Sequence, residues 1–448
     1  MINLLLPISK HLGVSKYHKS LFATTRSGLR ILTGADRKYR REGCCFIPYI
    51  AENIRSFTFI NIGLFMRFKF LIALLLLSLS GFTQQYYLFV GTYTEGGPAS
   101  GDNAGSKGIY VYKFDAASGE ATPVSTIATD NPSYLAIAPD GKFLYSVNET
   151  NGARPGSVSA FSFDRSTGNL TFLNKQLSGG ADPCYVAVDA RRKWLMVANY
   201  SGGSYSALPI SADGWLRPST ETIQHSGSGP NKARQEKAHV HSTIFSPDEK
   251  YLVVADLGLD QLSVLRFNWR AAENPLTPAT DSTVTIAPGS GPRHISFSPV
   301  KPYVYLINEL AGTVDAFHYS NGKFDLLQQV SSHPDGYSGN IGSADIHVSP
   351  DGKFLYASNR GDANSLAIYS IDGGTGKLTL KGFQPTMGKT PRNFLIDPTG
   401  RWLLVANQNG KNVVIFRIDP QTGALTATGK QLEIPAPVCL KMEPVSAN

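Results

Sequence analysis

Cysteine is scarce in this chain, and the signals of several common protein classes are missing. Only 4 cysteines occur in 448 residues, and two of them, Cys44 and Cys45, lie near the N-terminus. The other two, Cys184 and Cys439, allow at most one disulfide, which is not a disulfide framework, and the cysteine spacing does not fit a zinc site. No Gly-x-Ser-x-Gly motif occurs, and no Gly-rich stretch stands between a strand and a helix. A nucleophilic serine elbow and a phosphate-binding loop are therefore not expected.

The excess of positive charge belongs to the N-terminal part of the chain alone. Residues 1–69 hold 12 of the 42 basic residues and 3 of the 34 acidic ones, so the rest of the chain has a net charge of −1. A nucleic-acid-binding protein needs a basic stripe on its folded body, and the composition provides none. Nucleic acid is therefore not an expected partner.

Long apolar runs are also missing, apart from one of about ten residues that begins at Phe70. It follows the basic start Met66-Arg67-Phe68-Lys69 and ends in small and polar residues, which is typical of a secretory signal peptide. A membrane span needs about 20 apolar residues. The expected organisation is a leader at 1–65 that reflects a start-site error, a signal peptide at 66–84 and one domain at 85–448. A cytoplasmic leader followed by a signal anchor is the alternative. A periplasmic or secreted location follows if the signal peptide functions, and a cytoplasmic one if it does not; no stable membrane span is expected after cleavage.

The body of the chain consists of a repeat of about fifty residues. Each copy has an apolar strand, a turn of the Pro-Asp-Gly type and a second apolar strand that ends in Asn or Asp. The terminal residues of six copies are spaced by 51, 57, 52, 51 and 48 residues, and they are Asn148, Asn199, Asp256, Asn308, Asn359 and Asn407. A third strand and a Gly-x-Leu start of a fourth follow each copy. Four antiparallel strands without a helix signal predict a propeller blade.

A seventh blade is predicted from the two ends of the chain. The segment YYLFVGTY (86–93) matches the second strand of the repeat, and KGIYVYKF (107–114) and TPVSTIA (122–128) match the third and fourth. The missing first strand matches PAPVCLKMEP (435–444) near the C-terminus. The fold class predicted is thus all-β, a seven-bladed β-propeller whose first blade is closed by both chain termini, which removes the exposed edge of a linear array.

The repeat also predicts where a site lies. In each hairpin the first strand starts at the edge where the second ends, so both positions converge on one face of the disc, around the central channel. The residues at these positions vary in chemistry from blade to blade, whereas structure alone would accept Ser or Ala throughout. The candidate catalytic residues are His241, Arg293, Glu309 and Arg360, and the candidate substrate-binding residues are Arg392, His294, Gln408 and Asn199.

Structural interpretations of the same residues stay open. Arg293 and Glu309 pair as a stabilising ion pair in one of them, and Asp345 and His347 bond each other along one strand face. His239 and His241 form a His-x-His pair, but no third ligand has a supporting spacing, so neither a metal nor another cofactor is expected.

At these positions the chain resembles the lactonase propeller family, which includes bacterial 6-phosphogluconolactonases and the fungal carboxymuconate cyclase. The shared segments are YLFVGTYT (87–94), ANYSGGS (198–204), HSTIFSPD (241–248), GPRHISFSP (291–299), INEL (307–310), ADIHVSPDGKFLYASNRG (344–361) and PRNFLIDPTGRWLLVANQ (391–408). The family's site contains a His, an Arg, a Glu and a second Arg, which match His241, Arg293, Glu309 and Arg360 here.

The resemblance implies hydrolysis of 6-phospho-glucono-1,5-lactone to 6-phosphogluconate without a metal, on a small lactone that carries an anionic group. Arg293 or Arg360 would stabilise the oxyanion, and Glu309 or His241 would take a proton from water. Two alternatives remain open at this point: a muconate-lactonizing isomerase on the same site, and a non-catalytic binding or scaffold propeller. An exported protein would not meet a cytosolic sugar phosphate, so the signal peptide leaves the exact lactone open as well.

Overall fold

The computed structural model describes residues 84–95, 105–150 and 156–445, and these contain strands and turns but no helix. The predicted leader at 1–65 and signal peptide at 66–84 lie outside the described residues except for Gln84. Within the described part of the chain, no helix is long and apolar enough to cross a membrane.

Seven sheets of four antiparallel strands each form the seven blades of a propeller, which confirms the predicted fold class. Each blade is numbered here by the order of its strands along the chain. Blade 1 consists of β1 (Gln85–Thr92), β2 (Gly108–Asp115), β3 (Glu120–Ala128) and β28 (Pro437–Pro444). Blade 2 consists of β4 (Leu135–Ile137), β5 (Phe143–Asn148), β6 (Ser157–Asp164) and β7 (Asn169–Leu177). Blade 3 consists of β8 (Pro183–Val188), β9 (Trp194–Asn199), β10 (Ser204–Pro209) and β11 (Glu221–Gln224).

The remaining four blades follow the same order without interruption. Blade 4 consists of β12 (Val240–Phe245), β13 (Tyr251–Asp256), β14 (Gln261–Phe267) and β15 (Leu276–Thr285). Blade 5 consists of β16 (Pro292–Phe297), β17 (Tyr303–Asn308), β18 (Thr313–Ser320) and β19 (Lys323–Ser331). Blade 6 consists of β20 (Ser343–Val348), β21 (Phe354–Asn359), β22 (Ser365–Ile371) and β23 (Leu378–Pro385). Blade 7 consists of β24 (Pro391–Ile396), β25 (Trp402–Asn407), β26 (Asn412–Ile418) and β27 (Leu425–Glu433).

Both ends of the described chain close blade 1, as the repeat predicts. Strand β28 pairs with β1 in an antiparallel register that runs from Tyr86 opposite Pro444 to Gly91 opposite Cys439. The indole nitrogen of Trp402 donates a hydrogen bond of 2.9 Å to the carbonyl oxygen of Ala116, which ties blade 7 to blade 1. The pairing of β28 with β1 therefore closes blade 1 with both ends of the described chain, and the buried Trp402 contact ties blade 7 to it.

The repeated Asn at the end of each second strand has a structural role. In blades 2, 3, 6 and 7 its side-chain amide donates to a carbonyl oxygen of the segment that leads into the same blade, for example from Asn148 to Asp130 at 2.6 Å and from Asn407 to Thr386 at 3.1 Å. In blade 5 the amide of Asn308 donates instead to Thr313 and Asp315 of the third strand. Asn199 follows the same pattern with Ser178 at 3.3 Å. Buried backbone carbonyls need such partners, because water cannot reach them. In blades 2, 3, 6 and 7 this Asn therefore holds the incoming loop at the face where the site was predicted.

Candidate active site

The predicted convergence of the strand ends on one face is present in every blade that supplies a candidate. Val240 lies opposite Asp256, Pro292 opposite Asn308, and Pro391 opposite Asn407, so the residues that follow these positions share one mouth of the channel. A cavity of about 430 Å³ opens there. Its lining comes from blades 2 to 7 and from the loops between them: Glu149, Cys184, Tyr200, Arg234, His241, Glu309, Gly342, Arg360, Gly361, Thr390, Arg392, Gln408 and Asn409.

Glu309 is the centre of an arginine cluster in this cavity. Its Oε2 accepts a hydrogen bond of 2.9 Å from Arg293 Nε and forms an ion pair of 2.9 Å with Arg360 Nη2. Its Oε1 accepts a hydrogen bond of 2.6 Å from Arg234 Nη2. Burial alone would raise the pKa of Glu309, but Arg360, Arg293 and Arg234 together hold it well below its usual range. Glu309 is therefore a permanent carboxylate that positions arginines, and it is a poor proton acceptor.

Arg293 lies behind Glu309 and not on the cavity lining. Only 1% of this residue is exposed, and its Nη1 donates to the carbonyl oxygen of Ala344 at 2.6 Å. Arg293 and Glu309 form the ion pair that the sequence analysis considered as a structural alternative. Arg360 contacts the same carboxylate oxygen of Glu309 from the cavity side. The lining arginine suited to meet a substrate at this carboxylate is thus Arg360.

His241 presents its imidazole ring to the cavity. Its Nδ1 lies 3.9 Å from the Sγ of Cys184, whereas its Nε2 has no hydrogen-bond partner among the described residues. Burial lowers the pKa of His241 well below 6.5, and the charge of Arg293 lowers it further. The imidazole is therefore neutral at pH 7, and the tautomer with hydrogen on Nδ1, directed at the Cys184 sulfur, leaves a lone pair at Nε2. A neutral imidazole beside a cavity is the usual arrangement of a general base.

Arg392 is a further cationic group of the lining, beside Tyr93 and Glu149. Its guanidinium carbon lies 5.4 Å from the ring centre of Tyr93, and Arg392 makes no hydrogen bond or ion pair with any described residue. Nearby, the carboxylate of Glu149 accepts hydrogen bonds from Tyr93 at 2.9 Å and from Ser133 at 2.6 Å. Burial raises the pKa of Glu149, although Arg392 and these two hydroxyls oppose the shift.

The lining as a whole carries more positive than negative charge. Three arginines, Arg234, Arg360 and Arg392, face two carboxylates, Glu149 and Glu309, and the burial of Glu149 favours its neutral form. Buried Arg293 adds a further positive charge directly behind the lining. An excess of guanidinium groups in a partly desolvated cavity favours an anionic ligand, because the planar fork binds carboxylate or phosphate through two bonds.

The other candidate substrate-binding residues take different places. Gln408 lines the cavity, as predicted from its rim position. His294 lies beneath the cavity in the channel, where its ring centre is 5.3 Å from that of His241. Asn199 is fully buried, and its amide is engaged by Ser178, Ser204 and Ser206, outside the lining. Its position is that of the structural Asn of the other blades, so the structure gives no reason to assign it to a substrate.

Arg234 and Tyr200 belong to the cluster but were not among the candidates chosen from the sequence. Tyr200 directly follows Asn199 at the end of β9, and Arg234 lies in the loop between β11 and β12, where the repeat has no fixed register. One sequence feature could have indicated Arg234. The spacing of 57 residues from Asn199 to Asp256 is longer than the spacings between the other repeat copies, which indicates an insertion at this face. Arg234 Nη2 contacts the hydroxyl of Tyr200 at 3.2 Å as well as Glu309.

The remaining polar side chains near the channel are held by one another. His239 stacks on Tyr200 with ring centres 4.5 Å apart, and its Nε2 lies 3.0 Å from the carboxylate of Glu236. Among the residues that the structure describes, no group of three His, Cys, Asp or Glu side chains is close enough to hold a metal ion. Cys184 and Cys439 are both buried as free thiols.

The pH dependence of stability follows from the channel histidine His294. Burial and Arg293 lower the pKa of His294 to about 4, whereas an unfolded histidine has a value near 6.5. Between these pH values the unfolded chain binds a proton that the folded protein does not, so stability falls as pH drops through this window, by on the order of 3 kcal/mol in total. Urea unfolding at pH 7 and pH 5 should show a smaller decrease for His294→Gln than for the wild type. Equal decreases in the two proteins would contradict this assignment.

Fold and site together define a seven-bladed propeller with a cationic, His-containing cavity at one mouth of its channel. The chain belongs to the family described as Lactonase, 7-bladed beta-propeller, which matches residues 87–442. It is 40% identical over 360 residues to a 6-phosphogluconolactonase of Formosa agariphila, covering 79% of this chain and 99% of the relative. It is 36% identical over 360 residues to a 6-phosphogluconolactonase of Bacillus subtilis, covering 80% of this chain and 98% of the relative. Among solved structures it is similar to a periplasmic gluconolactonase of Pseudomonas aeruginosa, with a TM-score of 0.76 and 38% identity over 81% of this chain and 100% of that one.

Proposed function

We propose that this protein is a sugar-lactone hydrolase that opens 6-phospho-glucono-1,5-lactone to 6-phosphogluconate. The observation that carries the proposal is a neutral imidazole, His241, facing a cavity lined by three arginines. Relatives that bear the name 6-phosphogluconolactonase and match nearly their whole length support it. A fold alone would not, since propellers host many functions.

His241 activates the attacking water in this mechanism. Its Nε2 takes a proton from water while the water oxygen bonds to the lactone carbonyl carbon, and the carbonyl oxygen becomes an oxyanion. The ring carbon–oxygen bond then breaks, and the proton on His241 passes to the leaving ring oxygen. One water is consumed, the imidazole returns to its neutral form, and the product has a hydroxyl and a new carboxylic acid, which releases its proton to solvent and becomes a carboxylate. Of the two bases expected from the sequence, His241 is favoured because Glu309 is held ionised by three arginines.

Arg360 stabilises the oxyanion. Its Nη2 is fixed by Glu309 at 2.9 Å, and its Nε donates to the carbonyl oxygen of Gly342 at 2.9 Å. Its Nη1 has no partner among the described residues, and Arg360 lines the cavity. A donor already fixed in place costs little reorganisation when charge develops on the carbonyl oxygen.

Arg392 binds the anionic group of the substrate. It lines the cavity without a carboxylate partner, unlike Arg234 and Arg360, which share Glu309. A bound phosphate would also offset the positive charge of Arg392, which is one of the causes that lower the pKa of His241. Substrate binding would thereby make His241 a stronger base at the moment it is needed.

Arg392→Ala is expected to raise KM for the phosphorylated lactone by about 10- to 100-fold, because one charge-assisted contact contributes about 1.5–3 kcal/mol. The KM for unphosphorylated glucono-1,5-lactone should change little. Initial rates recorded with a pH-stat, corrected for spontaneous opening, measure both constants. Arg401→Ala is the matched control, since Arg401 is an exposed arginine of the same blade that contacts Thr399 and lies outside the lining. Equal effects on both lactones would contradict an anion-binding role.

A substrate panel tests the function itself. Purified residues 85–448 are assayed with 6-phospho-glucono-1,5-lactone, glucono-1,5-lactone and muconolactone, by acid release and by ultraviolet absorbance. The proposal expects the phosphorylated sugar lactone to have the highest kcat/KM. A preference for glucono-1,5-lactone would support a lactone hydrolase but contradict a phosphorylated substrate. Turnover of muconolactone alone would indicate an isomerase. No turnover of any lactone would favour a non-catalytic binding propeller.

We also propose a periplasmic or secreted location. The support is the signal-peptide pattern at 66–84 and the likeness to a solved structure that is named periplasmic. Expression from Met66 followed by cell fractionation tests it. Recovery of a mature protein that begins near Gln85 in the periplasm or medium is expected, and recovery of uncleaved protein in the cytoplasm would contradict it.

A further inference from the structure

We propose that Asp345 and His294 are positioning residues for the arginine cluster: Asp345 fixes the tautomer of His294, and His294 orients the guanidinium of Arg293. Neither residue lines the cavity, so each acts through its neighbour. The expected effect on kcat rests on the proposed lactonase function, whereas the predicted tautomer of His294 does not depend on it.

Asp345 is a buried carboxylate at the start of β20 with every oxygen engaged. It is 1% exposed, and its Oδ1 lies 2.8 Å from the Nδ1 of His294. Its Oδ2 accepts hydrogen bonds from the side-chain amide of Asn393 and from the backbone nitrogen of Phe394 at 3.2 Å. The Nε2 of His347 contacts the same Oδ2 at 3.0 Å. One oxygen therefore faces three groups, and the other faces His294 alone.

The neighbours of His294 determine which of its nitrogens carries the proton. A carboxylate only accepts, so Nδ1 must be protonated to bond Asp345. On the other side of the ring, Nε2 lies 3.3 Å from Arg293 Nη1, and a guanidinium only donates. Both contacts are satisfied by the single neutral form with hydrogen on Nδ1. Burial and Arg293 keep the pKa of His294 near 4, so this neutral form prevails at pH 7.

The consequence reaches the cavity through Arg293. Its Nη1 is held between His294 and the carbonyl oxygen of Ala344, and its Nε is thereby directed to Glu309 Oε2 at 2.9 Å. That oxygen is the one that also holds Arg360. A chain of donors and acceptors thus runs from Asp345 through His294, Arg293 and Glu309 to the arginine that meets the substrate.

Asp345→Asn keeps the size of the side chain while it replaces the acceptor that faces His294 Nδ1. The amide oxygen of the new side chain is needed at the position of Oδ2, where Asn393 and Phe394 donate. Its NH₂ group then faces His294 Nδ1, which must become an acceptor, so the proton moves to Nε2 and opposes Arg293 Nη1. Two donors in contact displace the guanidinium. A displacement of about 1 Å in a catalytic cluster costs up to about 100-fold in rate, so we expect kcat to fall about 10- to 100-fold with a smaller change in KM.

The test combines nitrogen NMR with kinetics. Residues 85–448 are labelled with ¹⁵N-histidine, and His294 is assigned by its loss in His294→Gln. The wild type should show hydrogen on Nδ1, and Asp345→Asn should show it on Nε2. Asp397→Asn is the matched control, because Asp397 is a fully buried carboxylate at the opposite end of a blade-7 hairpin, where it accepts from the backbone nitrogens of Arg401 and Trp402. It should leave both the His294 tautomer and kcat unchanged.

A second pair of variants keeps the proposal testable if Asp345→Asn does not fold. His294→Gln retains an acceptor near Arg293 and should keep kcat within about five-fold, whereas apolar His294→Met should lose about 10- to 100-fold. Any of three results would overturn the positioning role of Asp345 and His294. These are hydrogen on Nε2 of His294 in the wild type, an unchanged His294 tautomer in Asp345→Asn, and full kcat in His294→Met. Absence of lactone turnover in the wild type would instead count against the proposed function, and the nitrogen spectra would still decide the tautomer.

Discussion

His241→Gln should lower kcat/KM for lactone opening by about 10²- to 10⁴-fold, the usual contribution of a general base. Gln has no group that can take a proton from water at neutral pH, yet it approaches the size of the imidazole. The unpartnered Nε2 and the neutral state of His241 are the reasons to expect so large an effect. Substrate KM should change less than kcat, because Arg360 and Arg392 remain in place.

Folding must be separated from catalysis in this test. Cys184 donates its thiol hydrogen to the carbonyl oxygen of His241 at 3.3 Å, a backbone contact that the substitution preserves. We therefore expect the thermal unfolding midpoint of His241→Gln to stay close to that of the wild type. His318→Gln, on β18 and away from the lining, is the control for a His-to-Gln change. Full activity in a folded His241→Gln protein would exclude His241 as the base.

Glu309→Gln is the substitution with the largest expected cost in stability, about 3–5 kcal/mol. It leaves the buried guanidinium of Arg293 without an opposite charge, and an uncompensated buried charge is far costlier than a lost surface pair. It also releases Arg360 and Arg234 from the carboxylate that positions them, so kcat should fall as well. Urea unfolding followed by fluorescence measures the change in the free energy of unfolding.

Two further variants test whether buried charge is the cause. Arg293→Met combined with Glu309→Gln removes the uncompensated cation and should regain much of the lost stability while activity stays low. Glu249→Gln is the matched control, because Glu249 pairs with Arg191, whose side chain is 44% exposed, and such pairs contribute about 1 kcal/mol or less. If Glu309→Gln costs no more than Glu249→Gln, the electrostatic account of the cluster is wrong.

Much of the fold was predictable because the strand and turn pattern of each blade recurs in the sequence. Four of the repeated Asn residues recur for a structural reason, since Asn148, Asn199, Asn359 and Asn407 each hold the incoming loop of their own blade. The closing strand near Cys439 was predicted from its likeness to the first strand of the repeat, and the register of Gly91 opposite Cys439 confirms it. The repeat also predicted the face on which polar side chains converge.

The direction of individual side chains was less predictable. His241, Arg293 and Arg392 occupy the same repeat position, yet only His241 and Arg392 line the cavity. Arg293 turns inward because an acceptor in the next blade, the carbonyl oxygen of Ala344, and the carboxylate of Glu309 both hold it, and neither contact is local in sequence. Arg234 was missed because its loop lies outside the repeat.

A crystal structure of residues 85–448 with 6-phosphogluconate, the proposed product, tests the site most directly. We expect the phosphate within hydrogen-bond distance of Arg392, and the new carboxylate between His241 Nε2 and Arg360 Nη1, inside the cavity at the channel mouth. A product bound at the opposite mouth of the channel, or bound in this cavity with its carboxylate away from His241, would contradict this expectation.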